Sequence, residues 1–293
     1  MGMNFMVYQE MSCAAIHDVS GVGKCSLTVA LPVLSACGVE TAVMPTAVLS
    51  THTGGFTGYT FTDMTEEMLP MARHWKAVGC KFSALYSGFL GSPAQADILG
   101  EIFGLLGDSD TLLCVDPVLG DGGKLYATCT PELAAGMARL CRKAGLIIPN
   151  MTEAAYLLGG PYLDGPMTHG QVEEILSGLR NLGPKMAVLT GVRVEGGLGA
   201  ASMDAAGQVF YHVMEEIPGY YHGTGDLFAS TLVGALLNGM DLSEACRTAV
   251  EFTHQVIETT REYSKDYKFG PKFEVCLPQL AAKMEQFRKE NSR

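Results

Sequence analysis

What most constrains this chain is the alternation of short aliphatic runs with segments that carry helix start and stop signals. The runs lie at Ala14 to His17, Val39 to Met44, Phe82 to Tyr86, Thr111 to Asp116, Leu146 to Pro149 and Lys185 to Thr190. They lack regular polar alternation, as expected of strands buried on both faces of a parallel sheet. Between them, Ser92-Pro93 supplies an N-cap and a first-turn proline, and Ile98, Ile102, Leu105 and Leu106 then share one helical face before Gly107. Thr130-Pro131 repeats the arrangement, with Leu133, Met137, Leu140 and Cys141 at the same spacings and Gly145 as the stop. Such alternation implies right-handed crossovers, helices on both faces of a mostly parallel sheet, and ligands at the carboxyl ends of the strands. The glycine-rich stretch from Gly191 to Gly207 breaks the pattern and reads as a hairpin or meander, with Gln208 to Met214 as the return strand.

The expected fold class is therefore α/β, a three-layer α/β/α arrangement around a central, mostly parallel sheet. At 293 residues and 47% hydrophobic content, with neither a low-complexity linker nor an internal repeat, residues 1–293 are expected to form a single domain. A net charge of −11 without long runs of either sign argues against a nucleic-acid partner. The apolar runs are too short to span a bilayer, and Met1 to Met11 lacks the basic start and long apolar middle of a leader, so a cytoplasmic protein without a membrane partner is expected. The nine cysteines are odd in number and none stands in a CxxC spacing, which suits neither zinc clusters nor a disulfide framework. Cys25 and Cys129, beside glycine-rich stretches, are the two candidates for reactive thiols.

The strongest local signal is Gly223-Thr224-Gly225-Asp226, followed by Phe228, Leu232, Ala235 and Leu236 on one helical face that ends at Gly239. A glycine turn feeding a helix presents unpaired N–H groups and the positive end of the helix dipole, a natural seat for phosphate. Asp226 in such a seat either caps the helix or accepts a proton from an attacking hydroxyl. Gly21-Val-Gly-Lys24-Cys-Ser26 is not a P-loop, because Asp18 and Cys25 stand where a Walker A needs glycine and Ser or Thr. It reads instead as a substrate-side loop after the first strand, with Asp18 and Ser20 able to hydrogen-bond a polar ligand. Asp116-Pro117-Val-Leu-Gly120-Asp121-Gly-Gly123 ends a strand with acids that suit either a turn or Mg²⁺, with Asp121 in a flap. Asn150 and Glu153 have the spacing of a capping box. Thr46 to His52 gathers hydroxyls and an imidazole after an apolar strand, which a polar turn explains nearly as well.

In this order, from about Ile16 to Thr260, these segments resemble a pyridoxal/pyridoxine/pyridoxamine kinase of the ribokinase-like superfamily. Gly223-Thr-Gly-Asp226-Leu-Phe resembles the superfamily signature, Asp116-Pro-Val-Leu-Gly-Asp121 and Pro149-Asn150-Met-Thr-Glu153 the vitamin-kinase branch, and Pro45-Thr46-Ala-Val-Leu-Ser-Thr-His52-Thr the vitamin B6 substrate loop. The resemblance implies that Asp226 deprotonates the 5′-hydroxymethyl group of a vitamer while Gly223, Thr224 and Gly225 form an anion hole. It places Asp116, Asn150 and Glu153 around Mg²⁺ and the ATP phosphates, directly or through water, with Asp116 and Glu153 as the metal residues. Thr190 would touch the phosphates and Tyr126 would belong to a flap over ATP. Asp18, Thr46, His52 and Phe89 would line the pyridine pocket. The sequence departs from the family at Asp18, where serine is common, and at Phe89, where tyrosine is. The implied cofactors are ATP and Mg²⁺, with K⁺ left open, and the implied assembly is a homodimer. The alternatives are a hydroxymethylpyrimidine kinase of thiamine synthesis and a non-catalytic vitamer-binding protein.

Overall fold

The structure, a computed structural model, describes residues 12–263 and 266–291. Residues 1–11, on which the expectation about a leader rests, lie outside the described residues. In chain order the elements are β1 (Ser12–Val22), α1 (Leu27–Ala36), β2 (Glu40–Thr51), β3 (Phe61–Asp63), α2 (Thr65–Ala77), β4 (Ala84–Ser87), α3 (Pro93–Leu106) and β5 (Leu112–Val115). A two-stranded flap follows, β6 (Gly120–Asp121) and β7 (Lys124–Leu125), then α4 (Pro131–Cys141), β8 (Leu146–Ile147), α5 (Met151–Leu158) and α6 (His169–Asn181). The meander β9 (Met186–Val194), β10 (Gly197–Met203) and β11 (Val209–Met214) leads to α7 (Thr224–Leu237), α8 (Leu242–Tyr263) and α9 (Leu277–Asn291).

Nine strands form one sheet in the order β11-β10-β9-β8-β5-β4-β1-β2-β3. From β9 to β2 every neighbour is parallel, while β3 at one edge and β10 with β11 at the other are antiparallel. The short central strands are buried on both faces, which is why β4 and β5 read as unbroken aliphatic runs. One core packs α1, α7, α8 and α9 against the sheet, and a second packs α2 to α6 against the other face. The helix signals at Ser92-Pro93 and Thr130-Pro131 open α3 and α4, and Thr130 Oγ1 accepts the Leu133 N–H at 3.2 Å. The meander turns at Glu195 and Gly196, both with positive φ, the two-residue geometry that matches strand twist.

Two expectations need correction. Asp18 and Ser20 lie on β1, not in a loop after it, and Thr46 to Thr51 lie on β2, not in a polar turn. The cause is mutual pairing: β1 and β2 continue as a ladder as far as Val22 and Thr51, so both strands run on past their aliphatic stretches. The ladder slips between His17 and Val19, whose partners Pro45 and Val48 lie three residues apart. This irregularity, opposite Asp18, turns the two strand ends toward the site. The sequence reading named no element for β3, α2, α6, α8 or α9.

Leu85, fully buried in β4, tests the core that carries the strand ends. Leu85→Ala should lower the free energy of unfolding by about 2–5 kcal/mol in urea titration, because the two-sided packing cannot close the cavity.

Candidate active site

A cavity of about 1010 Å³ runs along the carboxyl ends of the parallel strands. Its walls include Asp18, Cys25, His52 and Phe89 toward β1, and Tyr126, Asn150, Glu153 and Thr190 toward β9, with Asp116 and the start of α7 also lining it. Of the residues expected to serve catalysis, binding or metal, Thr46 is not in the wall, and neither is the thiol candidate Cys129. Thr46 is fully buried, its hydroxyl donates to the Phe89 carbonyl at 2.8 Å, and its own carbonyl accepts Gln95 Nε2 at 2.8 Å. Thr46 therefore holds Phe89 in place and does not line the pocket.

The turn before α7 is built on Gly223, whose φ of 84° suits glycine. A Cβ there would collide with the Lys24 carbonyl oxygen, so only glycine lets the helix start come this close to the β1–α1 connection. Thr224 Oγ1 ties the turn to the Tyr221 carbonyl at 2.9 Å. Gly225 faces open space, and the first N–H groups of α7 have no intrahelical acceptor by helix geometry. They point, with the helix dipole, at the cleft.

Asp226 stands in this first turn. Burial pushes its carboxyl up to about 7; a hydrogen bond from the Ser26 backbone opposes the rise and the Asp18 charge adds to it. Ser26 was not anticipated from sequence. Its backbone is at φ 54° and ψ −131°, a conformation costing about 1–3 kcal/mol for a residue with a side chain. In that conformation its backbone bonds Asp226 and its hydroxyl bonds Asp18. No local sequence signal announces such a strained serine.

Asp116 is 8% exposed, and among the described residues no donor reaches its carboxylate. Burial, then Glu153 and Asp226, hold it well above the ordinary carboxylate range. A buried acid among acids is relieved by a cation, and a donor set of carboxylate oxygen suits Mg²⁺, which retains waters and phosphate oxygens as its other ligands. Glu153 is different. Its Oε2 accepts the Asn150 N–H at 2.8 Å and its Oε1 the Leu119 N–H at 3.1 Å, while Asn150 Oδ1 accepts the Glu153 N–H at 2.9 Å. The capping box is formed, and burial still raises Glu153 to about 8. Asn150 Nδ2 meanwhile holds the flap root through the Gly120 carbonyl at 2.8 Å. Both oxygens of Glu153 are thus engaged by backbone N–H groups, which fixes the carboxylate beside the flap root.

His52 is neutral by its partners. Nε2 faces the Lys268 carbonyl at 2.8 Å and must donate, and Nδ1 accepts the Gly54 N–H at 3.1 Å. Its ring lies 5.3 Å from that of His222, which sits 4.7 Å from Tyr220, and the Tyr220 hydroxyl donates to Asp121 of the flap at 2.8 Å. His222 and Tyr220 gave no signal in the sequence because their neighbours come from β2 and the flap. Cys25 lines the cleft, but burial and the charges of Asp226 and Asp18 keep it a thiol; burial likewise pushes Cys129 up to about 11. Neither is a poised nucleophile.

A three-layer α/β fold with a strand-end cleft, a glycine turn at a helix N-terminus and an acid in that helix's first turn defines a ribokinase-like phosphotransferase. Residues 29–271 match the phosphomethylpyrimidine kinase family. The pyridoxine/pyridoxal/pyridoxamine kinase of Bordetella bronchiseptica is 30% identical over 261 residues, covering 82% of this chain and 86% of that protein. The crystal structure of pyridoxal kinase from Lactobacillus plantarum superposes with a TM-score of 0.85 at 34% identity, covering 94% of this chain and 98% of that one. A Bacteroides thetaiotaomicron structure described as a phosphomethylpyrimidine kinase, in a crystal form with pyridoxal, gives 0.86 at 35% identity, covering 94% and 96%. The chain belongs to the phosphomethylpyrimidine kinase family.

The two glycines of the turn should behave oppositely. Gly223→Ala should lower the melting temperature, at a cost of at least about 1–3 kcal/mol, because it clashes and is strained. Gly225→Ala should melt like the parent and lose phosphoryl transfer, its methyl standing in the open anion seat. Thr46→Val should raise KM for the acceptor several-fold while kcat changes little, since it frees Phe89 without touching Asp226.

Proposed function

We propose that the protein transfers the γ-phosphoryl group of ATP to the 5′-hydroxymethyl group of a vitamin B6 vitamer: pyridoxal, pyridoxine or pyridoxamine. The observation that carries this is Asp226, a carboxyl raised to about 7 by burial, in the first turn of a helix whose free N–H groups face the same cleft. A carboxylate weakens an anion seat unless it has a chemical task, and accepting a hydroxyl proton is that task. The kinship with B6 kinases and the cleft wall formed by His52 and Phe89 support a pyridine acceptor.

In this reading Asp226 removes the proton from the 5′-hydroxyl as its oxygen bonds to the γ-phosphorus and the bond to the β–γ bridging oxygen breaks. Gly223, Thr224 and Gly225 hold the phosphoryl oxygens through N–H groups already in place, so little reorganisation accompanies the developing charge. Asp116 would hold a Mg²⁺ ion, with Glu153 acting through water, and the ion would neutralise phosphate charge. Asn150 orders the flap root, Tyr126 and Asp121 close over the nucleotide, and Thr190 meets its phosphates. Asp18, His52 and Phe89 border the vitamer. Exposed Val43 and Val48 on β2 offer apolar surface to a second copy in a homodimer. Nine free cysteines, most of them buried, suit the reducing cytoplasm. One helical limit is clear: no helix among the described residues is long and apolar enough to cross a membrane.

Purified protein with Mg-ATP should form ADP in proportion to added B6 vitamer and only weakly with hydroxymethylpyrimidine. Asp226→Asn should bind both substrates and lose nearly all turnover. Because the acid form of Asp226 cannot accept a proton, kcat/KM should fall as pH drops through about 7. Failure of all three vitamers to support ADP formation would sink the reading.

A further inference from the structure

Among the described residues, the vitamer end of the cleft is acidic and has no Lys or Arg side chain in its wall to balance it. Asp18 and Asp226 both line it. The cations on the cleft wall, Lys124 and Arg193, belong to β7 and β9, and Arg193 is already paired with Glu216 through contacts of 3.0 and 2.8 Å. In the sheet β9 is four strand spacings from β1, on the order of 19 Å away. Near β1, Lys24 pairs with Glu274 at 2.6 Å, and Lys268 Nζ lies 4.7 Å over the Phe56 ring. Neither lines the cavity. His52 is neutral, with both ring nitrogens engaged as described.

Asp18 itself is 4% exposed. It stands where the β1–β2 ladder slips, Ser20 Oγ donates to its Oδ2 at 2.9 Å, and the Ser26 hydroxyl bonds it as well. Burial raises the Asp18 carboxyl, while the hydroxyls of Ser26 and Ser20 and the nearby His52 favour its charged, acceptor form, and among the described residues no Lys or Arg side chain pairs with it. A ligand that brings a cation to this place supplies the missing partner. A ligand that brings a lone-pair acceptor meets repulsion.

The three vitamers share the ring, the methyl, the phenolic oxygen and the reacting hydroxymethyl group. They differ at one substituent, which is an aldehyde, an alcohol or an aminomethyl group. Resting on the function proposed above, we infer that Asp18 selects among them by charge, making pyridoxamine the preferred acceptor, pyridoxine second and pyridoxal last. The ammonium offsets the buried carboxylate, the alcohol can donate one neutral hydrogen bond, and the aldehyde presents only an acceptor oxygen.

The test is kcat/KM for the three vitamers with Mg-ATP in the parent, Asp18→Asn and Asp18→Ser proteins, with calorimetric binding of each vitamer alongside. The parent should favour pyridoxamine over pyridoxine by at least about tenfold, the scale of one hydrogen bond to a charged group. Asp18→Asn, which keeps the shape and removes the charge, should bring that ratio close to one, mainly by weakening pyridoxamine. Equal or reversed preference in the parent overturns the inference without any variant, and so does an Asp18→Asn protein that keeps the parent's preference. Turnover of all three vitamers with no preference defeats only the role of Asp18. If no vitamer is bound or phosphorylated, the vitamer-kinase reading fails and the inference falls with it.

Discussion

The site depends on one close approach, the seating of the α7 N-terminus against the β1–α1 connection. Gly223 rests where any side chain would strike the Lys24 carbonyl, and two residues further along that connection the Ser26 backbone reaches Asp226. Segments some 200 residues apart in sequence thus share one wall. Each partner accepts an unfavourable backbone in doing so, φ 84° at Gly223 and φ 54° at Ser26. For Gly223 the cost is small because glycine has no Cβ. For Ser26 it is offset by bonds to the Asp18 and Asp226 carboxyls and by the packing of α1 and α7 in a common core.

That seating concentrates acids where water is scarce. Asp18, Asp116, Glu153 and Asp226 all have carboxyls raised by burial, and several raise one another. Three ways of managing this charge are visible. Glu153 is satisfied by backbone N–H groups, Asp18 by serine hydroxyls, and Asp116 by no donor among the described residues. An external cation at the last would relieve a buried acid that has no donor of its own. The helix N-terminus beside them supplies the opposite field, so phosphate and carboxylate can share the cleft. The proton acceptance proposed for Asp226 draws on this tension, since an unburied aspartate would be too weak a base near neutral pH.

How much of this was legible in the sequence varied with the range of the interaction. Helix α3 followed from Ser92-Pro93, an apolar face and Gly107, all within one segment. The capping box at Asn150 and Glu153 followed from a three-residue spacing, and it formed. Strand ends were misjudged where polar residues continue a ladder: Asp18, Ser20 and Thr46 read as loop because periodicity cannot sense a partner strand. Thr46 illustrates the consequence. Its place in a motif suggested ring contact, whereas its hydroxyl is used by the Phe89 carbonyl 43 residues later.

The sequence alone determined the α/β class, the helix that begins at the glycine turn, the presence of an acid in its first turn, and the likeness to B6 kinases. These rest on local geometry and pattern, where each residue's neighbours in the chain are its neighbours in space. Only the tertiary structure decided that the Asp226 carboxyl is raised to about 7, that Ser26 bridges it to Asp18, that Glu153 spends its oxygens on backbone, and that Asp116 does not. Burial and hydrogen-bond competition are sums over residues brought together by the fold. A spacing along the chain carries no record of them.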